Sequence, residues 1–334
     1  MFSQKKGRIN NTIQIKETRI FGFENLKSFF IKDKISIVLN PTSYCRCDKM
    51  SSKRLYEMKQ IKNSPLVSVI MPAYNVQLYV AHAIESILNQ SYRNYEFIIV
   101  DDASTDETLS IIKDFRKKDK RIVLIRNRIN IGITKSLNKA LRLIKGKYVI
   151  RMDADDWSYP NRFELQVKLM EDHPEVIVSG SHIEICDQNL NPRYVRRYQL
   201  DDTSIRKHLF RYSPFAHPAT IWRAIVLKKE KYNVILTVCQ DYELYFRVGA
   251  IGKFMNLDKI LLKLRMHSQS VSTTENDLQL KNTVLIRLHA VLLLGYNMSK
   301  LDKVYNLLQE LAIGLIPVKL RFYIFNFLRR FNFY

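Results

Sequence analysis

Two kinds of apolar pattern alternate between residues 65 and 160. Four short runs rich in β-branched residues predict buried strands, and three segments with apolar residues at helical spacing predict helices between them. The strands are predicted at 66–71, 95–100, 122–125 and 148–152, and the helices at 77–89, 104–116 and 133–143. Such an alternation is typical of a mostly parallel sheet covered by helices, so we predict an α/β fold.

The pattern after residue 160 is less regular. In the first half, Ser104 and Glu107 have the spacing of a capping box and predict where the helix at 104–116 begins. We expect a helix at 161–172, a hairpin of strands 176–181 and 183–186, and a polar loop over 191–211. Further on, we predict strands at 215–222 and 260–266, and helices at 241–248, from 277 onward and at 300–311.

Polar side chains follow the predicted strands of the first half. The segments at their ends are Pro72 to Asn75, Asp101-Asp102, Asn130 to Gly132, and Asp153 to Asp156. Parallel sheets bind ligands at this edge, so we expect these segments to converge. Three crowded carboxylates predict a Mg²⁺ or Mn²⁺ ion that bridges protein and substrate phosphates. An acidic turn before the helix near Asn161 is the alternative.

The charge and the cysteines limit the possible environments. The chain has 334 residues and a net charge of +22, and residues 1–64 hold 14 Lys and Arg against five Asp and Glu. This excess is compatible with nucleic acid, anionic lipid or a phosphorylated ligand. Four cysteines without metal-binding spacing predict reduced thiols in a cytosolic protein. We expect neither a secretory signal nor a membrane-spanning segment.

Seven stretches in a fixed order carry a resemblance to a known family. They are VSVIMPAYN, FIIVDDASTDET, NIGITKSLN, YVIRMDADD, FAHPATIWR, QDYEL and RMHSQS. Together they resemble the family 2 glycosyltransferases, which have the GT-A fold. The resemblance covers roughly 65–270 and implies a nucleotide-binding half (65–160) and an acceptor half (161–270). A basic extension of unknown role (1–64) and a helical C-terminal region (271–334) flank this domain.

The resemblance implies roles for the first two strand ends and the D-x-D motif. Pro72 and Tyr74 are expected to bind the nucleotide base, with core packing as the alternative for Tyr74. Asp102 is expected to accept a hydrogen bond from a ring N–H, as uracil or thymine offers. By analogy, Asp155 ligates the metal and Asp153 meets the ribose or a metal-bound water.

The resemblance also implies roles for residues outside the D-x-D motif. His267 would complete the metal site, unless it is a surface histidine. Asp241 matches the general base of inverting members, although Gln240 replaces an acid usual there; Glu243 is the fallback, and helix capping is the alternative. Lys135 would offset the charge of the donor phosphates.

These expectations define an inverting glycosyltransferase of the hexosyltransferase type. It would use Mn²⁺ or Mg²⁺ and a nucleotide-sugar donor, and the expected donor is a UDP-sugar. The acceptor would be a saccharide or a polyprenyl-diphosphate-linked saccharide, in surface polysaccharide synthesis. The two alternative functions are a sugar nucleotidyltransferase and a non-catalytic basic binding or scaffold protein. Nucleic acid is not an expected partner, because carboxylates in the crevice would repel it.

The C-terminal tail predicts a location for the enzyme. Lys319 to Tyr334 mixes cations with aromatic residues, which suits an anionic membrane surface. We therefore predict a cytoplasmic protein, peripheral on the inner face of the plasma membrane. Packing of this tail against the domain is the alternative.

Overall fold

The computed structural model describes residues 64–267, 276–316 and 320. The predicted basic extension therefore lies outside the described residues, apart from Ser64. The same is true of the predicted basic and aromatic tail, apart from Leu320. The division of the chain at residues 64 and 270 stays a prediction.

The predicted alternation of strands and helices is present in the first half. Its elements are β1 (Val67–Ala73), α1 (Val80–Leu88), β2 (Tyr95–Asp101), α2 (Thr108–Lys118), β3 (Ile122–Arg126), α3 (Ile133–Leu141), β4 (Tyr148–Arg151) and β5 (Trp157–Ser158). The second half is more mixed. It contains α4 (Arg162–Asp172), β6 (Val176–Cys186), β7 (Pro192–Arg196), α5 (Asp202–His208), a 3₁₀ turn (His217–Ala219), β8 (Ile221–Arg223), α6 (Ala224–Glu230), α7 (Gln240–Val248), β9 (Lys253–Arg265), α8 (Asn276–Leu293) and α9 (Lys300–Leu315).

One mixed sheet joins the two halves, with strand order β3-β2-β1-β4-β8-β6-β9-β5. Strands β1 to β4 are mutually parallel, so their carboxyl ends lie at the same edge. Strand β8 runs antiparallel to both β4 and β6 and connects the halves. Because β9 pairs with both β6 and β5, the end of β9 comes next to the segment that follows β4.

Hydrophobic side chains cover both faces of the sheet. Alternate residues of β1 point to opposite sides, so Val69 packs in one core with α1 and α4, and Ile70 in a second core with α3, α6 and α7. Complete burial of such a side chain contributes about 1.5–3 kcal/mol. The continuous burial of β1 and β2 explains why these strands were predicted from uninterrupted apolar runs.

The predicted capping box is wrong. Helix α2 begins at Thr108, and neither Ser104 nor Glu107 caps it with its side chain. The Ser104 hydroxyl instead accepts a hydrogen bond from the backbone N–H of Asn75, 3.2 Å away, in the segment that follows β1. A contact between two loops therefore takes the group that local sequence assigned to the helix end.

Three predictions for the second half are also wrong. The expected hairpin at 176–186 is one strand whose pairing with β9 shifts register near His182, so the chain does not turn there. The turn lies at 187–191, where the Asp187 carboxylate accepts backbone N–H groups, and β6 then pairs with β7 inside the expected loop. Helix α5 also lies in that loop. Pro218 lies within the 3₁₀ turn, which replaces the middle of the strand predicted at 215–222, and β8 begins only at Ile221.

Two C-terminal helices pack onto the domain through buried polar groups. The buried Arg287 of α8 donates hydrogen bonds to the Tyr242 hydroxyl (3.0 Å) and to the Arg211 carbonyl (2.8 Å). Arg211 also forms an ion pair with Asp302 of α9 at 2.8 Å. Within the described residues, no helix combines the length and the apolar character needed to cross a bilayer.

Candidate active site

The Asp102 carboxylate, just after β2, organises the loop that leads into α3. One oxygen accepts hydrogen bonds from Asn127 Nδ2 (2.7 Å) and from the Ile131 N–H (3.0 Å), and the other from the Gly132 N–H (2.8 Å). A carboxylate has about four acceptor sites, so these bonds leave one for a ligand. Gly132 has φ +85° and ψ 160°, a conformation available essentially only to glycine, and this brings its N–H to Asp102.

The segments after β1 and β2 are bonded to each other. The Asn75 side chain accepts a hydrogen bond from the Thr105 N–H at 2.9 Å, and the Gln77 N–H donates to the Asp106 carboxylate at 3.1 Å. Tyr74 is 45% exposed, so it is not a core residue. Pro72 is the penultimate residue of β1, two positions before Tyr74. The convergence predicted for these strand ends is confirmed.

The three aspartates after β4 form a compact cluster. One carboxylate oxygen from each of Asp153, Asp155 and Asp156 lies within 4.8 Å of the other two. Burial is the main reason that the pKa of Asp156 is raised well above its usual range, and the Asp155 and Asp153 charges add to it. The pKa of Asp153 is raised mainly by burial, which outweighs the opposing effect of Arg151. The charged forms of these carboxylates are therefore costly unless a cation or a proton relieves the crowding.

Three buried arginines surround this cluster. The Arg151 guanidinium forms an ion pair with the Asp153 carboxylate. Arg162 donates to the Arg151 carbonyl at 2.8 Å, and burial lowers the pKa of Arg162 to about 9. Arg265, at the end of β9, donates its backbone N–H to Asp156 and its Nε to the Asp155 carbonyl, at 2.9 and 2.7 Å. Arginine thus supplies part of the positive charge that the sequence assigned to a metal ion alone.

The structure brings His267 to the aspartates, as predicted. Its Nε2 lies 3.0 Å from Oδ2 of Asp155, and its ring lies 4.8 Å from that of Tyr79 at the start of α1. The Arg265 guanidinium lies over the ring of the same tyrosine, 4.6 Å from the ring centre. The end of β9 and the residues that follow it thus bring one guanidinium and one imidazole to the edge where β4 ends.

Asp241 lies in the first turn of α7, two residues after the N-cap residue Cys239. Its pKa is raised mainly by burial; Arg151 opposes this and Asp153 adds to it, so Asp241 lies within the electrostatic reach of the aspartate cluster. Glu243 forms a two-point ion pair with Arg247 at 2.7 and 3.0 Å, so its carboxylate is already in use. This arrangement favours Asp241 over Glu243 as a base.

A buried pair links the surroundings of Asp241 to the segment after α6. His217 Nε2 and the Tyr232 hydroxyl are 2.9 Å apart, and both side chains are buried. Burial, with a smaller effect of Arg151, places the pKa of His217 well below its usual range. Lys135, the predicted phosphate ligand, lies on α3 in the wall of a cleft that Tyr232 also lines.

The residues of the aspartate cluster fit a hard divalent cation. Their donors are carboxylate oxygens and one imidazole nitrogen, the ligands that Mn²⁺ accepts and that Mg²⁺ partly shares. One Asp156 oxygen is buried without a hydrogen-bond partner among the described residues, which indicates a missing positive or donor group. Asp155, Asp153 and His267 are the side chains that would hold the ion.

A protein-family model matches most of the sheet-forming part of the chain. The model of glycosyl transferase family 2 matches residues 68–247, and the chain therefore belongs to family 2 of the glycosyltransferases. It is 35% identical to an uncharacterized glycosyltransferase of Haemophilus influenzae over 65% of this chain and 70% of that protein. It is 34% identical to the putative glycosyltransferase EpsE of Bacillus subtilis over 68% of this chain and 82% of that protein.

Two solved structures share the GT-A fold with this chain. The Staphylococcus aureus protein TarS in complex with UDP-GlcNAc aligns with a TM-score of 0.56 and 20% identity, over 66% of each chain. The mannosyltransferase PcManGT of Pyrobaculum calidifontis, in complex with GDP-Man and Mn²⁺, aligns with a TM-score of 0.55 and 17% identity. That alignment covers 78% of this chain and 76% of the mannosyltransferase. The predicted fold is confirmed, and the chain is a glycosyltransferase.

Sequence reasoning missed Arg162, Arg265 and Tyr232. Arg265 stands two residues before His267, so its position in the RMHSQS stretch was a usable signal. Arg162 follows the predicted helix start at Asn161 and had the pattern of an exposed helix residue, yet it is fully buried. Tyr232 lies outside all seven stretches, and only the tertiary structure brings it to His217.

Proposed function

We propose that the chain is an inverting glycosyltransferase that moves a sugar from a nucleoside-diphosphate donor, most simply a UDP-sugar, to a saccharide acceptor. The gathering of Asp153, Asp155 and His267 at the carboxyl edge of the parallel strands, with Asp241 in electrostatic reach, is the observation that supports it. The UDP-GlcNAc bound to TarS and the GDP-Man and Mn²⁺ bound to PcManGT are consistent with such a donor and metal.

The donor would lie along the ends of β1, β2 and β4. Tyr74 and Pro72 would contact the base, and the remaining acceptor site of Asp102 would receive a ring N–H of uracil. Asp153 would meet the ribose or a water on the metal, and Asp155 and His267 would hold Mn²⁺ or Mg²⁺. When bound, the ion neutralises the diphosphate leaving group. Lys135 stays a predicted ligand of the donor phosphates.

Asp241 would act as the general base. Its carboxylate takes the proton of the acceptor hydroxyl, and the hydroxyl oxygen forms a bond to the anomeric carbon. The bond between that carbon and the diphosphate oxygen breaks on the opposite face, so the configuration inverts. Burial raises the pKa of Asp241, which makes the carboxylate a stronger base than an exposed aspartate.

A panel of nucleotide sugars tests this function. Purified full chain is incubated with each donor, with and without Mn²⁺, and released nucleoside diphosphate is measured. We expect release from one donor class, stimulated by the metal and by a saccharide acceptor. Absence of release from every donor, together with absence of UDP binding, would contradict the proposal and favour a non-catalytic binding protein.

The acceptor and the location belong to the same proposal. We propose a saccharide carried on a polyprenyl diphosphate, in surface polysaccharide synthesis, with the enzyme held at the inner face of the plasma membrane by the tail Lys319 to Tyr334. Cations interleaved with aromatic residues favour an anionic lipid surface.

Removal of the tail provides the test. We expect the full chain to sediment with phosphatidylglycerol vesicles at moderate salt and a chain ending at residue 316 to stay in solution. Uncharged phosphatidylcholine vesicles are the control, because they lack the negative surface. Equal sedimentation of the two chains with anionic vesicles would show that the tail is not the anchor.

A further inference from the structure

A cleft of about 460 Å³ lies between α3 and the segment after α6. Four of its lining residues are cations, Lys135, Lys139, Arg142 and Lys231, and none is acidic. The first three recur every three or four residues and therefore share one face of α3 and its end. We refer to this feature as the cationic cleft.

The four cations of the cationic cleft have no acidic partner in the described part of the chain. Among the described residues, no carboxylate lies within 4 Å of any of the four cationic groups. The Lys139 ammonium donates instead to the neutral Asn127 side chain at 2.6 Å. Four like charges around one cavity favour a ligand with several negative charges, such as a phosphate or diphosphate.

The wall opposite α3 is held in a fixed conformation. Lys231 has a left-handed φ of 44°, and Arg247 donates a hydrogen bond of 2.7 Å to its carbonyl. The next residue, Tyr232, exchanges two hydrogen bonds with the Asn138 side chain across the cleft, at 2.8 and 3.0 Å. Backbone strain of this kind persists only where the surrounding contacts enforce it, and it concentrates at functional sites.

The cationic cleft adjoins the predicted base. Tyr232 lines the cleft, while its hydroxyl contacts His217, and the charges of Arg151 and Asp241 both act on its phenol. The Tyr232 side chain therefore connects the cationic cleft to the surroundings of Asp241.

One exposed aliphatic side chain lines the cationic cleft, and two more lie close in sequence to its lining residues. Val234 lines it and is 51% exposed, and its neighbour Ile235 is 84% exposed. Ile129, two residues before the lining residue Ile131, is 70% exposed. A nucleotide sugar has no hydrocarbon chain to contact these residues, whereas a lipid phosphate has both the charge and the chain.

We propose that the cationic cleft binds the phosphate or diphosphate of an acceptor that carries this group on an aliphatic chain. The proposal rests on the glycosyl transfer proposed above and names the part of the protein that selects the acceptor. In this arrangement Lys135 binds the acceptor phosphate and replaces the role toward the donor phosphates that the family resemblance implied.

Direct titration of a soluble lipid diphosphate tests the cleft without turnover. Geranyl diphosphate is titrated into the full chain in EDTA, which removes divalent ions from the aspartate cluster. The test variant is Arg142→Glu with Lys231→Glu, and the control is Lys113→Glu with Lys120→Glu, two exposed lysines outside the cleft with the same change of net charge. We expect affinity to fall about tenfold or more in the test variant only, since each charge-assisted contact is worth at least a factor of ten.

Parallel measurements separate the possible outcomes. UDP binding with Mn²⁺ should be equal in all three proteins; its absence from the wild type would contradict the proposed function but not the cleft. Equal binding of geranyl diphosphate by the two variants would refute the cleft. Equal affinity for inorganic pyrophosphate would refute the aliphatic part. If the test variant loses only its sedimentation with phosphatidylglycerol vesicles, the cleft is a membrane-binding surface and the proposal is wrong.

Discussion

Two acidic groups at strand ends look alike in the sequence but differ in the folded protein. After β2, Asp102 accepts three hydrogen bonds from a single loop, two of them from backbone N–H groups. After β4, the three aspartates lie within 4.8 Å of one another, and one Asp156 oxygen has no hydrogen-bond partner in the described part of the chain. The first group holds a loop in place, whereas the second retains the charge that a bound cation would neutralise.

Asp155→Ala should have the largest effect. Full activity of this variant would contradict the role assigned to the aspartates after β4. Removal of this carboxylate takes away a predicted metal ligand, and a catalytic metal contributes several kcal/mol to transition-state stabilisation. We expect release of nucleoside diphosphate to become undetectable and stimulation by Mn²⁺ to disappear with it. Asp114→Ala, which removes an exposed carboxylate of α2, is the control and should retain full activity.

Asp241→Asn should have the next largest effect. The amide keeps the shape but cannot take a proton, so we expect kcat to fall about 10²–10⁴-fold while donor affinity changes little. The pKa of Asp241 lies above the usual aspartate value of about 3.9. The wild type should therefore also lose activity as pH falls through this raised pKa. A pH profile of kcat measures this limb, and an active Asp241→Asn would refute the base.

The neighbours Asp101 and Asp102 sharpen the comparison through stability. Asp102→Asn places an amide group against the Gly132 N–H, so we expect a loss of about 1–3 kcal/mol in the free energy of unfolding. Both oxygens of Asp101 are buried without a hydrogen bond in the described residues, so Asp101→Asn should cost less than about 1 kcal/mol. Urea unfolding of the two variants measures the difference, and equal losses would contradict the assigned role of Asp102.

His217 provides the smallest expected effect. Its pKa is lowered in the folded state, so its contribution to stability is complete above about pH 6.5 and is lost as pH falls below that value. We expect the stability difference between wild type and His217→Gln to shrink by about 1 kcal/mol per pH unit below 6.5. Urea unfolding at pH 7.5 and 5.5 measures it, and an unchanged difference would show that the imidazole is not buried as a neutral group.

The sequence was sufficient for features that depend on neighbouring residues. The uninterrupted apolar runs of β1, β2 and β4 and the periodic helix α3 were predicted within a few residues of their bounds. The pairing of His267 with Asp155 followed from the family motifs, although 112 positions separate them.

Features that depend on distant contacts could not be predicted. The capping box failed because Ser104 bonds to a different loop, and the expected hairpin failed because β9 supports β6 through a register shift. Arg162 and Arg265, two of the arginines around the aspartates, had the pattern of ordinary helix and strand residues. Only the folded sheet shows that they are buried next to carboxylates.

Arg287 connects the C-terminal helices to the helix that carries the predicted base, Asp241. Its guanidinium bonds to Tyr242, the residue after Asp241, while α9 is held through Arg211 and Asp302. These bonds hold the predicted base Asp241 in a fixed position relative to α8 and α9. If the tail rests on a lipid bilayer, acceptors would therefore be selected by the distance between their reactive hydroxyl and the lipid headgroups.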